Sequence, residues 1–260
     1  MNNKDKNRSS CLVNSLVIRE LIFNGVRFFI GTSGWMYFWN KGNSLEWYIQ
    51  NTPFNAVELN ASFYRFPFPN QARSWARRGK DLRWSIKVNQ LITHRFRLSA
   101  RAVESFNKFR RILNPMEEKD LIDFYLFQLP PSFKATAKNI ARIKEFMKKV
   151  ELGRKFAIEF RSSEWFDEKW ISWIEKLGGV FVSVDAPDFV NKIYPCNGVI
   201  YLRLHGRSQW YSHIYSQEEV REIISTIMSY GNVDQVYIFL NNNHGMLPTG
   251  QLIVDMIRSK

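Results

Sequence analysis

Eight short apolar runs recur along this chain with side chains that alternate in character, and most are followed by a stretch of helical periodicity. The runs are RFFIGTSG (27–34), AVELNASFY (56–64), RWSIKVNQ (83–90), IDFYLFQLP (122–130), KFAIEFR (155–161), VFVSVD (180–185), GVIYLRLHG (198–206) and QVYIFLNNN (235–243). A period of two is that of a strand, and strands alternating with helices argue for parallel pairing. Right-handed crossovers then bring every strand's carboxyl end to one rim. The spacing predicts an α/β protein, a single TIM-like (β/α)8 barrel over residues 26–260. The link between strands six and seven, broken by Pro187 and Pro195, is expected to be irregular rather than helical. Residues 1–25 have no clear periodicity and read as a flexible extension. Their LVNSLVI run superficially resembles a leader, but Asn14 interrupts it, Arg19 closes it, and no small-residue cleavage site follows.

Parity within the runs locates the chemistry. Glu58, Asn60, Ser62 and Tyr64 share one face of strand two, Ser85, Lys87 and Asn89 one face of strand three, and Glu159 and Arg161 one face of strand five. Tyr201, Arg203 and His205 share a face of strand seven. The opposite parity is almost wholly apolar and suits packing against helices, so the polar parity is expected to face the lumen. Barrel enzymes carry their sites at the carboxyl ends of the strands. Candidate catalytic residues are therefore Glu58, Lys87, Glu159, Asp185 and His205. Candidate substrate-binding residues on the strands are Asn60, Tyr64, Asn89, Gln128, Arg161, Arg203 and Asn241. His94 and Trp165 join them from the loops after strands three and five.

At 260 residues, 45% hydrophobic and 23% charged, the chain can bury a full-sized core. Its two cysteines, Cys11 and Cys196, have no metal or redox spacing, so a reducing cytoplasm is expected. No run reaches the roughly 18 apolar residues of a membrane span. The net charge of +13 is concentrated: residues 65–111 hold thirteen Lys and Arg against Asp81 and Glu104, and the rest is nearly balanced. With Phe66, Phe68, Trp75, Trp84 and Phe96 interleaved, this sector suits a surface that tracks phosphates and stacks bases, so DNA or RNA is the expected partner. A merely solvated basic face is the plain alternative.

Several motifs together give the chain a family resemblance: GTSGW (31–35), VELNASFYRFP (57–67), ITHRFRL (92–98), LFQLPPSF (126–133), AIEFR (157–161), VDAP (184–187) and YLRLHG (201–206). They are collinear from about residue 27 to 245, and the chain resembles the DUF72, or YecE-like, family. The resemblance implies a TIM-barrel-like fold and no settled reaction. Barrels of this kind look similar to the endonuclease IV and xylose isomerase type, which suggests nucleic acid or a sugar phosphate by analogy of fold alone.

Several readings fit the expected mouth. Glu58, Glu159, Asp185 and His205 would make an oxygen-rich site for Mn²⁺ or Mg²⁺, and possible for Zn²⁺. Without a metal, Lys87, Arg161 and Arg203 would hold a phosphate or carboxylate while Glu159 or His205 acts as acid or base. Lys87 at a strand end can in principle form a Schiff base, although polar crowding is expected to keep it protonated. A further option is a satisfied ion-pair network with a structural role. The leading expectation is an enzyme acting on a phosphate-bearing substrate, foremost a hydrolase of nucleic-acid phosphodiesters. The alternatives are a metal-dependent sugar or sugar-phosphate isomerase or epimerase, and a non-catalytic nucleic-acid or partner-binding module.

Overall fold

A computed structural model describes residues 20–259 apart from Val190. The eight expected strands are present as β2 (Val26–Thr32), β3 (Ala56–Leu59), β4 (Arg83–Lys87), β5 (Ile122–Gln128), β6 (Phe156–Glu159), β7 (Val180–Asp185), β8 (Val199–Leu204) and β9 (Gln235–Leu240). A ninth, β1 (Leu21–Phe23), lies within the stretch expected to be a flexible extension and pairs antiparallel with β2. Residues 1–19, including the leader-like run and Cys11, lie outside the described residues. The sheet order is β1-β2-β9-β8-β7-β6-β5-β4-β3, and every pair except β1–β2 is parallel.

Helices follow the strands: α1 (Leu45–Asn51), α2 (Pro69–Arg78), α3 (Ala100–Ile112) with the short α4 (Asn114–Glu117), α5 (Ala137–Val150), α6 (Glu168–Lys176), α7 (Gln217–Met228) and α8 (Met246–Arg258). Several start on side-chain caps. Ser44 accepts from Trp47 N, Thr136 from Asn139 N and Asp167 from Lys169 N, and Ser216 forms a capping box with Glu219. Each such cap contributes about 1 kcal/mol. The β7–β8 link carries no helix, and Lys192 bridges back to Val184. Among the described residues no helix is long and apolar enough to cross a membrane.

The sheet curls until β2, which lies inside the edge strand β1, meets the other edge strand β3, but the two share a single parallel bridge, Ser33 to Glu58, rather than a ladder. Side chains stitch the rest of this seam. Asn55 Oδ1 accepts from Ile30 N at 2.7 Å and Asn55 Nδ2 donates to Phe28 O at 2.9 Å. The Tyr48 hydroxyl donates to Ala56 O at 2.9 Å and accepts from Thr32 N at 3.2 Å. Gly31 permits the approach, since a Cβ there would sit 2.2 Å from Ala56 O.

Outer-face residues such as Ile30, Ile86, Phe127 and Ile238 join the helices in the main core. The inner face is not polar along its length as parity implied. Its lower part is an apolar plug of Phe124, Leu126, Ala157, Val182 and Phe239 with Tyr201 and Tyr237. At the amino ends of the strands, Arg83 grips Asp123 through Nε (3.1 and 2.9 Å) and through Nη2, and donates to Asp120 O at 2.6 Å. The Tyr237 hydroxyl donates to Asp123 at 2.9 Å. A cleft of about 500 Å³ opens on this floor.

Candidate functional site

Above the plug, at the carboxyl ends, the inner face turns polar at once. Arg203, on β8 and fully buried, reaches across to two carboxylates. Its Nε and Nη2 donate to Glu58 on β3 at 3.0 and 2.6 Å, and its Nη1 donates to Glu159 on β6 at 2.6 Å. Glu58 also accepts from Ser33 Oγ at 2.7 Å and from the Tyr201 hydroxyl at 2.8 Å. Arg161 donates from Nε to the other oxygen of Glu159, so that carboxylate lies between two guanidiniums. Parity predicts this set because each member stands two residues from an inner-face neighbour on its own strand or just beyond its end.

Electrostatics divides the members sharply. Burial opposes ionisation of Glu159, but Arg161 and Arg203 outweigh it and hold its carboxyl below the usual range. Burial likewise opposes charge on Arg203, and Glu159 and Glu58 raise its affinity for the proton. His205 is pushed far below an ordinary histidine by burial, then by Arg161, Arg203 and Lys87, so it is neutral. Its Nε2 lies 3.2 Å from Arg161 Nη2 and 3.4 Å from Arg203 Nη1, both obligate donors. Nε2 must therefore be the acceptor and the ring proton sits on Nδ1, 3.3 Å from the Asn241 side-chain amide.

Lys87 is the outlier. Its side chain is almost wholly buried, at 6% exposure, and its ammonium stands 4.4 Å from the centroid of the Phe63 ring. Burial and then Arg203 lower its pKa to about 7 against the opposing pull of Glu58 and Glu159. Crowding therefore does not hold it fully protonated: desolvation and the guanidiniums outweigh the carboxylates, which are already engaged.

Other candidates move away from the mouth. Asp185 belongs to the outer parity of β7, whose inner face is Val180, Val182 and Val184. Its carboxylate is held by Arg207 at 2.9 Å, and burial raises its pKa. Trp165 is fully buried, stacked on Phe160 with its Nε1 donating to Phe133 O. β3 ends at Leu59, where a 3-10 turn over Ala61–Phe63 follows and Ser62 Oγ donates back to Leu59 O. Tyr64 consequently swings out to 68% exposure, and with Asn60 it lines a separate, mostly apolar cleft of about 240 Å³ beside Trp35 and Met36. Asn89 braces the chain, donating to Ser62 O and accepting from Leu91 N. His94 lies against Phe63, and burial and Lys87 lower its pKa.

The four residues expected to ligate a metal do not converge: Glu58 and Glu159 are bonded to Arg203, Asp185 is turned to Arg207, and the His205 lone pair faces guanidiniums. Among the described residues no group of three or more His, Cys, Asp or Glu could hold a metal ion.

A cleft of about 640 Å³ opens beside the network, lined by Gln128, Lys134, Arg161, Ser162, Trp210 and Tyr211 among others. The Arg161 guanidinium lies 4.8 Å over the Trp210 ring, and the His205 ring packs against both aromatics. Trp210 and Tyr211 were not read from the sequence because segment 206–215 has no periodicity, and Lys134 was not because it stands in the loop beyond Pro130 and Pro131. The aromatic pair just after a strand-ending glycine, Gly206, was the available signal.

The basic sector resolves into inside and outside. Trp84 is core, Trp75 and Phe66 pack on the core, Phe96 lies under Arg101, and Lys87 faces the mouth. Of the five aromatics expected to stack bases, Phe68 alone is exposed, with Arg65 over its ring.

A curled parallel sheet with a buried charged network at its carboxyl ends defines the class of protein to which this chain belongs. Solved structures with this fold include a DUF72 protein of Enterococcus faecalis V583 (TM-score 0.77, 18% identity, 90% of this chain and 96% of that one). Another is a DUF72 protein of Thermotoga maritima MSB8 (0.71, 23%, 90% and 99%). A xylose isomerase domain containing protein of Salmonella typhimurium LT2 is more distant (0.53, 14%, 92% and 97%). The family model described as "Protein of unknown function DUF72" matches residues 29–251, and the chain belongs to that family. The UPF0759 protein YunF of Bacillus subtilis (strain 168) is 23% identical over 253 residues, covering 84% of this chain and 89% of that protein.

Proposed function

We propose that the protein is an enzyme acting on a small, phosphate-bearing polyhydroxy substrate of the sugar-phosphate type, at the carboxyl-end mouth of a closed TIM-like (β/α)8 barrel formed by residues 26–260. The observation that carries this reading is the cleft of about 640 Å³ beside the buried network, with Arg161 and Lys134 on its wall. Arg161 donates from Nε and Nη2 within the protein, and among the described residues Nη1 has no acceptor, which leaves a donor for a phosphate oxygen. Trp210 and Tyr211 offer faces for the CH side of a sugar, and Gln128 and Ser162 offer partners for its hydroxyls. The volume is in the range of small-molecule sites. The fold shared with the Salmonella protein supports a sugar-type substrate by analogy alone.

In this reading Arg203 fixes Glu58 and Glu159 in place and Arg161 binds the phosphate. His205 stays neutral and accepts from the Arg161 and Arg203 guanidiniums, which helps to orient them. Thermal-shift titration with inorganic phosphate and with triose and pentose phosphates is the test. Stabilisation by the phosphate esters that is lost in Arg161→Met is expected; no shift with any of them would overturn the proposal.

A second reading, a nucleic-acid partner on the outer face of the basic sector, is favoured by the exposed Arg73, Arg77, Arg95, Arg101 and Arg111. Its affinity must fall log-linearly with salt, measured by anisotropy of labelled single-stranded DNA and RNA. No binding at low salt would end it.

A further inference from the structure

We propose that the Lys87 amine is a nucleophile that condenses with the carbonyl carbon of an aldehyde or ketone substrate entering the mouth. The inference rests on the small-substrate reading above for the identity of the site, and it adds the reactive atom. Lys87 is the last residue of β4, on the inner face at the carboxyl end, near enough to Arg203 and Arg161 to feel their charge. A lysine that is 6% exposed ordinarily carries a carboxylate partner. Here the nearby carboxylates are taken: Glu58 by Arg203, Tyr201 and Ser33, and Glu159 by Arg203 and Arg161. Among the described residues none accepts a hydrogen bond from Lys87 Nζ, which faces the Phe63 ring instead. An aromatic wall and engaged carboxylates leave the nitrogen lone pair available to an electrophile.

The groups facing it are Arg203 on β8, Glu159 and Arg161 at the end of β6, Glu58 on β3, and His94 from the turn after β4. Their balance with burial puts the amine near half-neutral at about pH 7. A surface lysine, with a pKa of about 10.4, is neutral in fewer than about one molecule in a thousand there.

The step balances without a further reactant. The nitrogen lone pair forms the N–C bond as the C=O π pair moves onto oxygen. That oxygen takes the proton shed by the amine, gains a second from solvent and leaves as water while nitrogen closes the C=N bond. The second nitrogen proton returns to solvent, so amine and carbonyl give imine and water.

The whole chain is incubated at pH 7 with sodium cyanoborohydride and either dihydroxyacetone phosphate or glycolaldehyde, and the reduced adducts are mapped by peptide mass spectrometry. The hydride converts the imine to a stable secondary amine. One adduct at Lys87 is expected, at least about tenfold more occupied than any other lysine's, with a rate that rises with pH to a midpoint near 7. Inorganic phosphate should slow labelling by dihydroxyacetone phosphate. If glycolaldehyde labels Lys87 while phosphate protects against neither probe, the nucleophile stands and the Arg161 phosphate site falls. Labelling of Lys87 no greater than that of surface lysines, with both probes, overturns the inference. Lys87→Met should lose the adduct, and the wild-type map decides the matter even if that variant misfolds.

Discussion

The two ends of the curled sheet both carry an arginine bound to carboxylates, yet they are built to opposite specifications. On the floor, Arg83 and Asp123 answer one another, Tyr237 closes the remaining lone pair, and Arg83 keeps 32% of its side chain in solvent. At the mouth, Arg203 is wholly buried and holds two carboxylates from different strands, while a neutral histidine and a lysine without a carboxylate partner stand beside it. The floor is complete in itself, and the mouth has unused valence. Both ends have a cleft of several hundred Å³, so room alone does not mark the site. The difference lies in which end retains groups whose protons and donors remain uncommitted.

Four perturbations sharpen or break that contrast. Arg203→Met leaves Glu58 and Glu159 buried without their shared cation, and should cost about 3–5 kcal/mol in urea unfolding. A loss below about 1 kcal/mol would mean that the mouth is as well hydrated as the floor. Lys87 supplies a pH signature. Its folded pKa of about 7 lies below the unfolded value of about 10.4, so the unfolded chain binds more protons between those limits and stability rises with pH across that window. Wild type should therefore gain on the order of a few kcal/mol over Lys87→Met between pH 7 and 10; parallel profiles would remove the amine from the argument. Glu159 acts in the opposite window, its lowered pKa giving stability that is lost as pH falls through its folded value.

Smaller effects separate binding from folding. Trp210→Ala should weaken sugar-phosphate binding about tenfold, or about 1.4 kcal/mol, in calorimetric titration with little change in unfolding midpoint. Arg83→Met on the floor should cost about 1 kcal/mol of stability, discounted for its exposure, and leave phosphate-ester binding untouched. An effect on binding there would erase the distinction between the ends.

Much of the mouth was legible because side chains alternate along an extended strand: Glu58, Lys87, Glu159, Arg203 and His205 all fall on the inner parity. Asp185 misled because it stands at the end of a strand and is ionisable, as a catalytic acid would be, while its parity is that of Phe181 and Ser183 on the outer face. Tyr64 misled for another reason: alternation holds only while the backbone is extended, and the Ser62 hydroxyl turns it at Leu59. Trp210 and the seam residues Tyr48 and Asn55 lie outside the runs, where placement follows from tertiary packing and no local period records it. The basic sector was visible as charge, but charge alone does not say that Trp84 lies in the core while Arg77 points to water.

The seam has a consequence for how the mouth is calibrated. The Asn55 amide grips Ile30 N and Phe28 O, and so acts as a key that indexes β3 against β2. A slip of one residue would put Val57 or Leu59 where Glu58 stands, and Arg203 would then face methyl groups. The chemistry at the carboxyl end is thus set by a fastening three residues earlier in the chain, and a change at Asn55 would be read out as a lost charge at the mouth.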